Sequence, residues 1–137
     1  MLHREYTPFL PTPQSVPQGP VDHPILEAPA PEGFWDESAG ILASGAENIA
    51  NILNEAAQCG VPLLTPFAGF CAFSAGYVLS YCEWFPKMNL NRSPKAREHA
   101  KMCMDYLEEF RNVWTIADGW VGYIYIYIHI YISLSFS

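Results

Sequence analysis

Four cysteines and four histidines are the residues with which this chain could ligate a metal or attack an electrophile. Cys59, Cys71, Cys82 and Cys103 are separated by stretches of 11, 10 and 20 residues. No two of them form the close C-x2-C pair from which a structural zinc site is usually built. Their spacing fits reduced thiols buried in a core better than a disulfide framework or a metal site. As nucleophiles, Cys71 and Cys82 would need a base such as His99 or His23. Both cysteines fall in an apolar run, where burial raises the thiol pKa and suppresses attack. His99 lies between Glu98 and Lys101, the setting of a solvated helix face, and His3 and His23 sit among prolines. G-x-S-x-G, P-loop, G-x-G-x-x-G and H-E-x-x-H motifs are all missing. The reading is therefore non-catalytic, with no cofactor and no metal bound by this chain.

Charge narrows the partners. Seven Lys and Arg stand against fourteen Asp and Glu, a net charge of −7. Nucleic-acid binding draws its affinity from Lys and Arg that neutralise phosphates, so no direct nucleic-acid contact is expected. Hydrophobic residues make up 50% of the 137 and charged residues 15%, enough apolar material for one domain or part of one. Residues 1–10 carry Arg4 but no apolar stretch behind it, which is not the pattern of a secretory signal.

Three segments follow. Residues 1–35 hold eight of the twelve prolines. Proline removes a backbone donor and fixes φ, so this segment reads as an extended, disordered linker. Pro17-x-x-Pro20 has the spacing of a groove ligand but lacks a flanking basic residue.

Residues 36–121 read as helices. Over 38–58 the stripe Leu42, Gly45/Ala46, Ile49, Ile52/Leu53 and Ala56 has period 3.6, ended by Gly60 and Pro62. Thr65 caps a second helix opened by Pro66, and no charge appears before Glu83. A run apolar all round belongs inside protein or lipid, and this one is short for a membrane span. Ser93 and Pro94 signal a third helix, with Ala96, Ala100, Cys103, Leu107, Phe110 and Trp114 on one stripe. Thr115-x-x-Asp118 then resembles a capping box, placing the start of a fourth helix near Ile116.

Residues 122–137 are anomalous. The run GYIYIYIHIYI alternates Tyr or His with Ile, and is apolar on both faces if it is a strand. It is short for a membrane helix, although 66–82 and 120–136 together define an alternative reading as a membrane-associated fragment. An AT dinucleotide repeat translated in frame encodes Ile, Tyr and His, so the tail also fits a translated intron. Sequencing the transcript decides between them.

Three stretches in order carry a resemblance: TPFAGFCAFSAGY (65–77), WFPKM (84–88) and YLEEFRNVWTIADGW (106–120). Together they resemble the middle homology region of fungal zinc-cluster transcription factors, strongly over about 55 residues and more loosely over 36–64. In that family a six-cysteine binuclear zinc cluster reads DNA, and a long all-helical domain downstream regulates it. The cluster is missing here, so zinc and sequence-specific DNA binding do not carry over. The family's domain also runs further, which makes this a truncated portion.

The resemblance implies an all-α fold, a location in the nucleus, and a regulatory role. Its partners would be other proteins or the remainder of a transcription factor, with room for a small-molecule effector. The side chains expected to pack the core or meet a partner are Phe70, Phe73, Tyr77, Trp84, Phe85, Leu107, Phe110, Trp114 and Trp120. Thr65, Ser93, Thr115 and Asp118 are the expected helix caps.

Overall fold

A computed structural model describes residues 15–17 and 28–135, and the linker expected over 1–35 lies largely outside them. The described residues form four helices and no strand: α1 Phe34–Gln58, α2 Pro66–Trp84, α3 Ala96–Phe110 and α4 Ile116–Ser135. The all-α expectation holds. Helices α2 and α3 each pack against every other helix, while α1 and α4 flank that central pair.

α1 starts two residues before the boundary drawn at 36 and ends on Gly60 at φ 74°. Gly60 N–H donates to the Ala57 carbonyl and Val61 N–H to that of Ala56, at 3.0 Å each, the paired bonds of a Schellman stop. The buried stripe differs from the one expected. Ala39, Ala43, Ala46, Ala50 and Leu53 face inward, whereas Ile41, Leu42, Gly45 and Ile52 are exposed. Alanines let α1 lie close to the small residues of α2. Ala46 and Ala50 share one cluster with Ala75, Leu79, Ala100 and Cys103.

α2 begins as expected. Thr65 accepts a hydrogen bond from Ala68 N–H at 3.2 Å, and Pro66 opens the helix. Thr65→Ala removes that cap and lowers stability by about 1 kcal/mol, read as a shifted denaturation midpoint. A midpoint that does not move would assign the helix start to Pro66 alone.

α3 starts later than Ser93. Lys95 precedes its first residue, no side chain caps it, and the Ser93 carbonyl accepts from Ala96 N–H at 3.1 Å. The Ser93 hydroxyl instead accepts from Asn89 Nδ2 at 3.5 Å in a buried turn. The inward stripe of α3 is also wider than expected, because His99 and Tyr106 join it. His99 is buried, not solvated, and its Nδ1 has no hydrogen-bond partner among the described residues.

α4 does not stop at residue 121. It continues through the Ile/Tyr repeat to Ser135. Ala117, Val121, Ile124 and Tyr127 are buried, one per turn, against α2 and α3. An Ile/Tyr repeat is a strand pattern locally, yet in a helix either residue type presents an apolar group to the core. Tertiary burial decides between the two.

Candidate interaction face

The aromatic side chains form a ladder between α2 and α4. Phe73 stacks on Trp120 with ring centroids 5.6 Å apart. Phe73 and Tyr77 both reach Tyr123, at 6.2 and 6.1 Å, and Tyr77 meets Tyr127 at 4.9 Å. Each such pair adds about 0.5–1.5 kcal/mol beyond the area it buries. At one end Phe85 is buried with Met88 and Tyr127, beside Tyr81 and Trp84. At the other, Phe110 packs against Trp120 and Trp114, with centroids 6.2 and 6.5 Å away. Leu107 and Phe110 are fully buried.

The nine packing candidates thus divide. Phe85, Leu107 and Phe110 are core. Phe73, Tyr77 and Trp120 are half-buried rungs, and Trp84 is half-buried beside the Phe85 cluster. Phe70 and Trp114 remain exposed, at 55% and 40%. Phe70 touches Trp120 edge-on at 6.4 Å, and Phe67, which sequence reasoning overlooked, is 77% exposed one turn earlier. An i, i+3 step along α2 is the signal that would have found it. Phe67 and Phe70 near the α2 N-terminus, and Val113, Trp114 and Ile116 around the start of α4, are all exposed apolar side chains.

Polar anchors hold this region in place. Trp114 Nε1 donates to the Leu64 carbonyl at 3.0 Å, and the Tyr106 hydroxyl donates to the Leu63 carbonyl. Asp118, in the first turn of α4, pairs with Arg111 at 3.4 Å, and the Thr115 carbonyl accepts from Asp118 N–H at 3.0 Å. The Arg111–Asp118 pair is solvent-exposed and contributes little on its own.

Of the groups that might have done chemistry, Cys82, Cys103 and His99 are buried, while Cys71 is only half-buried and Cys59 is exposed. Burial pushes the thiols of Cys82 and Cys103 up to about 12 and the Tyr106 phenol to about 12. Burial, with Tyr77 beside it, also raises the Tyr81 phenol far above its ordinary value. His99 and Cys103 stand one helical turn apart on α3, both buried. Among the described residues no three His, Cys, Asp or Glu side chains come together as metal donors. A groove of about 500 Å³ along α1 is lined by Asp36, Glu37, Gly40, Ile41, Ser44 and Arg92, among others, and by none of the aromatic candidates. Trp84 and Phe85 lie at the far end of α2 from Trp114 and Trp120, so these four do not converge on one pocket.

Thiol chemistry offers a direct check. At pH 8 Cys59, exposed, reacts with an aromatic disulfide, while Cys82 and Cys103 react only in denaturant. An unfolded thiol ionises near 9.0 and the buried ones near about 12, so the unfolded chain releases protons first as pH rises. Stability from this source is full below 9.0 and is lost up to about 12, visible as alkaline unfolding. Rapid native-state labelling of all four thiols would contradict this burial.

Known proteins place the chain. It is 29% identical over 85 residues to a curated relative described as Zn(2)-C6 fungal-type transcription factor FTF1c, from Fusarium oxysporum f. sp. lycopersici. A second relative with the same description and source is 30% identical over 83 residues. The matches cover 61% and 59% of this chain but 9% and 8% of the relatives, so the chain corresponds to under a tenth of their length. The resemblance to fungal zinc-cluster transcription factors is borne out. No family model and no solved structure matches the chain. No helix among the described residues is long and apolar enough to cross a membrane. The segment 66–82, one half of the membrane-associated alternative, is instead the greater part of the central helix.

Proposed function

We propose that this chain is a non-catalytic regulatory segment of a zinc-cluster transcription factor, its residues 36–121 corresponding to part of the middle homology region and continued by the rest of α4. The reading rests on the similarity to the Fusarium transcription factors. It acts in the nucleus through contacts with other proteins or with the rest of a transcription factor. DNA contact is left to a zinc cluster that these residues do not contain. The physical basis is a bundle whose buried thiols Cys82 and Cys103 are pushed further from ionisation and whose aromatic side chains Phe67, Phe70 and Trp114 are uncovered. Such side chains gain free energy by excluding water against a partner.

The test fuses the full chain to a heterologous DNA-binding domain and reads a reporter gene. Reporter output should change several-fold relative to the DNA-binding domain alone, and Phe70→Asp should abolish the change without loss of helix content. Output that stays at the control level would overturn the regulatory reading.

A further inference from the structure

α4 carries a second apolar face. Away from its buried stripe run Ile116, Gly119, Tyr123, Ile126, Ile130 and Ser133, all exposed, at spacings of 3, 4, 3, 4 and 3, with one edge of the Tyr123 ring also against Phe73 and Tyr77 of α2. That is the a/d pattern of a coiled-coil seam. Ile116, Ile126 and Ile130 are 60%, 62% and 47% exposed. Gly119 sits mid-seam with nothing within 4 Å of a Cβ added there. A glycine inside a helix weakens it, and no packing within this chain requires one at that position.

We propose that this seam pairs antiparallel with the same seam of a second copy of the chain. Antiparallel heptads set each a position against a d position of the partner helix. Here that register places Gly119 opposite Ile130, Ile116 opposite Ser133 and Tyr123 opposite Ile126. Each small residue receives a large one, so the seam is complementary to itself in volume. A parallel pairing would stack Gly119 on Gly119 and Tyr123 on Tyr123, alternating voids with clashes. Charge favours the same occupant. The chain carries −7, but residues 119–135 contain no Asp, Glu, Lys or Arg. Two copies therefore meet here without bringing their acidic groups together. Antiparallel helices also oppose their dipoles.

The full chain, measured by light scattering over a dilution series, should reach about twice 15.4 kDa. Ile130→Arg, at an exposed position, should return it to monomer mass with helix content retained by circular dichroism. Gly119→Leu should dissociate it likewise, and adding Ile130→Ala should restore the pair. A chain monomeric at its highest soluble concentration overturns the proposal. So does a dimer indifferent to Ile130→Arg, or a Gly119→Leu defect that Ile130→Ala leaves in place. Association seen only with phosphatidylcholine vesicles would assign the seam to lipid. A monomeric result leaves the reporter test of regulation unaffected.

Discussion

Phe110→Ala should lower folding stability by about 3–5 kcal/mol, the range for deleting a buried phenyl ring. Phe110 is fully buried and belongs to the cluster that joins α1, α2, α3 and α4 through Leu53, Ala72, Leu107 and Val121. Its ring also supports Tyr106 and Trp120, with centroids 5.8 and 6.2 Å away. A small bundle has only about 5–15 kcal/mol in total, so this variant would be partly unfolded at 37 °C. Urea denaturation followed by circular dichroism measures the loss. A midpoint equal to that of the parent chain would mean the four helices do not meet at this ring.

The second large effect has a sign that local propensity gets wrong. Replacing a mid-helix glycine normally adds stability, up to about 1 kcal/mol for alanine. Gly69 is the exception, because an added Cβ would lie 2.4, 2.6 and 2.8 Å from Cζ, Cε1 and Cε2 of Phe110. The ring is walled in and cannot retreat, so Gly69→Val should destabilise by about 1–3 kcal/mol, the usual cost of overpacking. In a Phe110→Leu background the defect should shrink, since the opposing atoms are gone. Gly45→Ala is the control: nothing lies within 4 Å of its added Cβ, so stability should hold or rise. Equal behaviour at positions 69 and 45 would refute the close approach of α2 and α3.

The contrast between positions shows which signals were readable in one dimension. Thr65 followed by Pro66 is a local cap chemistry, and it appears where expected. Ser93 followed by Pro94 looks equivalent, but its hydroxyl is taken by Asn89, a partner four residues earlier that periodicity cannot anticipate. The α1 stripe was misplaced by one residue because Leu42 and Ile52 weigh more than alanine in any hydrophobic count. Close helix approach instead selects Ala39, Ala43, Ala46 and Ala50. α4 was unreadable for a different reason: residues apolar on every side carry no phase, so only contact with α2 and α3 determines the helix and its inward face. For the interaction face, residue types were legible but exposure was not. Phe70 and Phe73 are alike in sequence, yet Phe70 meets Trp120 only edge-on and stays largely exposed, while Phe73 stacks on it.

The two aromatic hydrogen bonds to Leu63 and Leu64 have a consequence for how the bundle breathes. They tie the connection between α1 and α2 to the last turn of α3 and the connection into α4. Loosening either connection breaks a hydrogen bond to the other, so the two should open together, which native-state hydrogen exchange would measure. The Trp114 indole is one of the clasps, so in a variant whose other three tryptophans are replaced by phenylalanine its emission should report that opening.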